Sequence, residues 1–216
     1  MAFQTSTLQA LADGDWRGHL TVGELRCRGD LGVGTCDALD GEMTMLDGQA
    51  WRARADGTIV RVADEDRAPF AVVTAFAADT TLTVRRPLEH VELLWAIKAV
   101  ADEVDASFAI RFDGALDAVR ARSVAPQYLS ERARSVVAAT QQGHFTLGPA
   151  VGTLVGFSFA RWADDFEPPG VHLHAITADR RQGGHVLRAR LGPGTLRFDT
   201  LTRPWDELRR DGPRST

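Results

Sequence analysis

A chain of 216 residues can bury a sizeable core, as one domain or two small intimate ones, without disulfide staples. Hydrophobic residues make up 44% and charged residues 25%, and a net charge of −4 gives no reason to expect nucleic acid or an anionic membrane as partner. Cys27 and Cys36 form no framework, no apolar run is long enough for a membrane span, and Met1 to Trp16 lacks the basic-then-apolar order of a signal peptide, so the expected location is the cytosol.

Ser6 is the expected cap of a short helix over Thr7–Leu11, closed by Asp13-Gly14. Thr21 and Glu24 have capping-box spacing before Leu25. Four glycines fall between Gly29 and Gly41, which predicts irregular backbone held close to something. No Gly-Lys-Ser/Thr follows, so this is not a phosphate-cradling loop. From Glu42 a meander is expected, with strands over Met43–Leu46, Ala50–Ala55 and Thr58–Val62 turned at Asp47-Gly48 and Asp56-Gly57. Phe70–Phe76 is apolar almost throughout and is expected to be a central strand, with a weaker strand over Thr81–Val84.

Pro87 suits the first position of the longest helix, running to about Val104, with Leu88, Val91, Leu94, Trp95, Ala101 and Val104 on its apolar face. Strands over Phe108–Phe112 and Ala115–Ser123 are expected to meet at a turn, Asp113-Gly114, with Arg120 and Arg122 sharing one face of the second. A short helix over Glu131–Ala139, strands over Phe145–Leu147 and Gly152–Ala160, and a turn from Phe166 to Gly170 follow. A last strand over Thr195–Leu201 leads to a polar tail. The fold class is a mixed α/β chain of α+β type. It has mainly antiparallel sheets with hairpins, a barrel-like C-terminal half and a few flanking helices. One unit is expected over 1–216, with a mixed-sheet lobe over 1–105 and a β-rich, metal-binding lobe over 106–216.

Three of the six histidines fall within residues 172–185. Val171, Leu173 and Ile176 suit a strand, on which His172 and His174 point the same way with Cα atoms roughly 6–7 Å apart. Ala178 to Gly184 is a polar turn, and His185 opens the apolar run that follows, so a hairpin returns a third imidazole to the first two. Three neutral imidazoles and an open position meet the requirement of a catalytic zinc site, although manganese, iron, cobalt or nickel could use the same ligands. The plainer alternative is a pair of partly buried strand histidines and an unrelated third.

Several stretches, taken together and in order, resemble the acetolactate decarboxylase family. They are Gly29-Asp-Leu-Gly-Val-Gly-Thr35 with Leu39-Asp-Gly-Glu42, Ala55-Asp-Gly57, Ala68-Pro-Phe-Ala-Val72, Ile110-Arg-Phe-Asp-Gly114, Arg122-Ser-Val124, Gly152-Thr-Leu-Val-Gly-Phe157, His172-Leu-His174 and Asp179-Arg-Arg-Gln-Gly-Gly-His185. The resemblance implies that His172, His174 and His185 are metal ligands and that Thr35, Glu42 and Arg122 line the same cavity. It implies decarboxylation of 2-acetolactate, a small anionic 2-hydroxy-3-oxo acid, to acetoin through an enediolate stabilised by a divalent metal, zinc foremost. Arg122 then orients the departing carboxylate, and Glu42 relays a proton or supports the ligands from outside. A homodimer is also implied. Taken alone, Arg122 could pair with a carboxylate across the sheet, Glu42 could be a surface residue at a strand end, and Thr35 a turn hydroxyl. The family match reverses that preference.

The family usually continues beyond the position of Thr216 and carries a late glutamate in the metal cavity. Asp206 or Glu207 could reach the same space if Pro204 turns the tail and Trp205 anchors it, but the preferred reading packs Trp205 on the last strand and leaves Glu207 solvated, with Glu42 or a metal-bound water as the proton donor. Val171 and Ala175 stand where the family has tyrosine and another aromatic residue, on the strand face opposite the ligands. Competing readings are a zinc-water hydrolase, a decarboxylase of another 2-hydroxy-3-oxo acid, and a non-catalytic binder of metal or small molecules.

Overall fold

Alternating apolar residues from Leu31 to Thr74 build one sheet, and two long strands after residue 106 organise a second. The computed structural model describes residues 2–104, 106–127, 142–159, 170–201 and 206–207. The expected helix over 131–139, the turn over 166–169, and residues 204 and 205 lie outside them.

In chain order the elements begin with β1 (Ala2–Gln4), α1 (Leu8–Ala12), β2 (Leu20–Thr21), α2 (Val22–Arg26), β3 (Leu31–Thr35) and a 3₁₀ turn at Asp37–Leu39. Then come β4 (Glu42–Leu46), β5 (Gln49–Ala53), β6 (Ile59–Arg61), β7 (Arg67–Ala68), β8 (Phe70–Thr74), β9 (Thr80–Val84) and β10 (Leu88–Glu89). The rest are α3 (His90–Val104), β11 (Ser107–Val124), β12 (Gln142–Leu147), β13 (Ala150–Phe159), β14 (Gly170–Thr177), β15 (Gly183–Leu201) and β16 (Asp206–Glu207).

The first sheet runs β16-β1-β8-β3-β4-β5-β6, antiparallel except for β16 beside β1. In the second, β11 pairs with β13, β13 with β14, β14 with β15, and β15 returns to β11. That closed circuit is the barrel-like half expected from the sequence. β12 flanks β11, while β9 and β10 add to β15.

Period-two alternation sorts the core into three layers. Phe108, Phe112, Leu154, Leu173, Ala175 and Phe198 fill the inside of the circuit, with Leu93 and Ile97 of α3 among them. Leu31, Val33, Leu46 and Phe70 of the first sheet meet Val155, Phe157 and Ile176 on the outside of the circuit. Met43, Met45, Ala71 and Val73 look the other way, onto Val22 and Leu25 of α2. Each fully buried side chain of this kind contributes about 1.5–3 kcal/mol.

Thr21 and Glu24 form the expected capping box. Thr7, not Ser6, caps α1. Leu31 to Thr35, read from its glycines as irregular, is a buried strand, because Leu31 and Val33 alternate into the interlayer core. The irregular backbone starts later, with Ala38 and Leu39 at positive φ.

α3 begins at His90 and not Pro87, since Leu88 and Glu89 pair with β15 and Glu92 reaches back to the Glu89 amide at 2.9 Å. Its buried stripe is Leu93 and Ile97, packed beside Ala96, Val100 and Ala101, whereas Val91 is 50% and Trp95 66% exposed. The expected turn at Asp113-Gly114 is the middle of β11. Asp113 is engaged by Arg111, Arg197 and Thr153, and Gly114 allows strands to crowd: a Cβ there would lie 2.5 Å from the Pro193 carbonyl oxygen. The apolar run at His185 and the strand over Thr195–Leu201 are likewise one strand, β15, whose ladder with β11 contains register shifts.

Candidate metal centre

β14 is a strand because Val171, Leu173 and Ile176 are β-formers, and Thr177 ends it by using its hydroxyl on Asp179 and on the Gln182 amide. That tight connection sets the hairpin register, with His174 directly opposite His185. His172 lies two residues along β14 on the same face. The ring centroids of His172 and His185 are 4.9 Å apart, those of His172 and His174 5.0 Å, and those of His174 and His185 5.5 Å. One ligand atom from each of the three lies within 4.8 Å of the others.

The cluster sits on the outer face of the circuit, against β4. His174 is fully buried, and its Nδ1 is 2.9 Å from the Met43 carbonyl oxygen. A carbonyl only accepts, so Nδ1 carries the proton and donates. The Nε2 lone pair is then directed into the cluster, 3.2 Å from His172 Nε2 and 3.3 Å from a Glu42 carboxylate oxygen. This orientation by an outer partner is what a ligating imidazole needs, so the residues present fit a divalent cation.

Electrostatics agree. Burial pushes His172 well below its ordinary value, and the neighbouring imidazoles add to this. Burial also takes His185 down to about 4, against the pull of Glu42. Both rings are therefore neutral at pH 7, the form that binds metal. Burial alone would raise Glu42, but the His174 ring beside it, the positive charge that His174 and His185 take up in acid, and Arg122 outweigh it and hold the carboxyl at about 2. Glu42 is a carboxylate.

All six residues singled out in the sequence converge. Glu42 pairs with Thr35 on the β3–β4 ladder. The Thr35 hydroxyl donates to the Gly41 carbonyl at 2.7 Å, so it braces the turn leading into Glu42. Gly41 has a φ of 80°, and a Cβ there would lie 2.3 Å from the Ala53 carbonyl oxygen, so only glycine serves. Arg52 and Asp40 pair beside the same turn. Arg122 is half-buried on β11, directly opposite His185 on one side and His144 of β12 on the other. His174, His185, Arg122 and His144 thus form one row across four strands. Arg122 makes no ion pair among the described residues.

Sequence reasoning missed the Met43 carbonyl, His144 and Ser123. A carbonyl has no side-chain signal. His144 and Ser123 become visible only through the register of β11.

The alpha-acetolactate decarboxylase family model matches residues 2–210. The chain is 36% identical over 197 residues to the alpha-acetolactate decarboxylase of Methanosarcina mazei, covering 91% of this chain and 68% of that one. It is 33% identical over 211 residues to that of Lactococcus lactis subsp. lactis, covering 98% and 87%. The crystal structure of alpha-acetolactate decarboxylase from Bacillus subtilis strain 168 superposes with a TM-score of 0.86 at 32% identity, covering 95% of this chain and 86% of that one.

Proposed function

Since the chain belongs to the alpha-acetolactate decarboxylase family, we propose that it converts 2-acetolactate to acetoin and CO₂ at the three-histidine cluster, with a divalent ion, zinc foremost, held by His172, His174 and His185. The observation that carries this reading is the orientation of His174. The Met43 carbonyl accepts a hydrogen bond from its Nδ1–H, which leaves Nε2 facing His172 and Glu42. When bound, the ion supplies Lewis acidity toward the ketone oxygen of the substrate.

The rest falls to the chain. Arg122 has a planar fork and, among the described residues, no competing ion pair, and it binds and orients the carboxylate. That group leaves as CO₂, and its bonding pair stays on the hydroxyl-bearing carbon. Glu42 is ionised at rest, so its first act is to accept the substrate hydroxyl proton. It then returns a proton to the carbon, and the oxygen recovers one from water, so one proton is consumed per turnover. Thr35 keeps Glu42 in place through Gly41. A homodimer in the cytosol belongs to the same reading. The exposed Val91 and Trp95 on α3 support a protein contact.

The test is metal analysis of the purified protein coupled to an acetoin assay. About one divalent ion per chain and acetoin formation that a chelator abolishes are expected. Metal-loaded protein that leaves acetolactate unchanged would overturn the reading.

A further inference from the structure

Resting on the roles just given to Arg122 and Glu42, we propose that Ser123 is a positioning residue that fixes the spacing between them. Arg122 belongs to the barrel-like circuit and Glu42 to the other sheet. Neither sheet's own ladder determines how far apart the two groups lie, so a contact between the sheets must do it. Ser123 makes that contact. It follows Arg122 on β11, points to the opposite face of the strand, and is fully buried. Its hydroxyl donates to the Ala53 carbonyl of β5 at 2.7 Å and accepts from the Glu42 amide of β4 at 3.2 Å. One donor and two lone pairs allow both bonds at once.

Ala53 and Glu42 are direct partners on the β4–β5 ladder, so a single hydroxyl spans that pair. Both residues are buried at the junction, where the hydroxyl adds a side-chain partner to each backbone group. Beside it the Gly41 amide donates to the Val124 carbonyl at 3.1 Å, so the residue after Ser123 grips the residue before Glu42. The residues next to Arg122 and Glu42 are thereby bolted together. Movement of β11 relative to β4 would shift the carboxylate holder against the proton acceptor, and it must first break the Ser123 bonds. A displacement near 1 Å between such groups costs roughly 10²-fold in rate. Serine contributes no group to the reacting atoms, so its effect runs through Glu42.

The experiment compares zinc-loaded wild type, Ser123→Ala, Ser123→Thr, Glu42→Gln and the Ser123→Ala/Glu42→Gln double variant. Metal content, acetolactate kinetics and hydrogen exchange of the Glu42 amide are measured in each. Ser123→Ala is expected to lower kcat by about 10–100-fold with zinc retained and KM little changed. It should also speed exchange at the Glu42 amide by about tenfold or more, the equivalent of one lost hydrogen bond. Ser123→Thr keeps the hydroxyl and is expected to recover most of kcat. In the Glu42→Gln background, Ser123→Ala should cost little further, because the two changes act through one group. Equal kcat losses in both backgrounds would make Ser123 a general scaffold residue and overturn the proposal, as would an unchanged kcat in Ser123→Ala. Should Ser123→Ala fail to fold, Ser123→Cys, of similar shape with only a weak donor, carries the same cycle. If wild type itself forms no acetoin, the proposed activity fails, and the Glu42 amide alone then decides whether Ser123 holds it.

Discussion

The Nδ1 of His174 lies 2.9 Å from the carbonyl oxygen of Met43, so a histidine of the barrel-like circuit is oriented by a strand of the opposite sheet. Loss of this ring removes a proposed ligand and one of the contacts between the sheets. His172→Ala, His174→Ala and His185→Ala are each expected to lower divalent metal content, measured by elemental analysis after exhaustive dialysis. His174→Ala should be the most severe and should also lower the unfolding midpoint, because it empties a fully buried position. Full metal content in all three variants would place the ion elsewhere.

Arg122→Lys keeps the charge and loses the planar two-point fork. The expected loss in kcat/KM is about 1.5–3 kcal/mol, the range for a hydrogen bond to a charged group, with metal content intact. Unchanged kinetics would reduce Arg122 to a structural residue.

The two histidines with depressed values fix a pH dependence of the metal-free protein. Unfolded imidazoles bind protons near the ordinary value of 6.5, while buried His185 waits until about 4 and burial holds His172 well below its ordinary value too. Between those limits the unfolded chain binds more protons, so stability rises with pH. The contribution of His185 is complete above 6.5 and is lost as pH falls toward 4, to the extent of about 3 kcal/mol at most. Glu42 has the carboxylate pattern: its contribution is present above 4.5 and is lost toward 2. Urea titrations of chelator-treated protein at pH 7.5 and pH 5 should show the acid sample markedly weaker. Zinc should displace the loss to lower pH, since metal binding competes with protonation. Equal stability at the two pH values would contradict the neutral, buried state of these rings.

Thr35→Val preserves shape and removes the hydroxyl that braces Gly41. The expected cost is about 1–3 kcal/mol in stability, because the buried carbonyl keeps its need for a donor. A fall in kcat with metal retained should accompany it, read by chemical denaturation and acetoin formation in parallel. If neither quantity moves, the turn holds without Thr35.

The tail acid and Glu42 can be ranked by topology. The backbone of Glu207 pairs with Gln4 in β16, and β16 is four strand spacings from β4, roughly 19 Å along the sheet. Glu42→Gln is therefore expected to lower product formation about 10²-fold or more, while Glu207→Gln matches wild type. The reverse ranking, in the same acetoin assay, would return the proton relay to the tail.

The histidine hairpin was legible because strand alternation and a polar glycine-containing turn are both local. The meander from Glu42 was legible for the same reason. What was hidden depended on partners distant in sequence. Asp113-Gly114 has turn composition, but Arg111, Arg197 and Thr153 engage the aspartate and crowding strands require the glycine. The helix stripe was misplaced because β15 captures Leu88 and Glu89 and shifts the start of α3 to His90. Ser123 resembled any strand serine until β5 and β4 stood on either side of its hydroxyl.

His174, His185, Arg122 and His144 lie across the strands, not along one of them. Their pitch is therefore the width of a backbone hydrogen-bonded pair, about 4.8 Å, which no substitution of a side chain can stretch. The row behaves as a ruler with fixed graduations. A ligand lengthened along it falls between marks, whereas one widened at right angles meets only side chains, which can be trimmed. Redesign of such a centre for bulkier acids has freedom in one direction and almost none in the other.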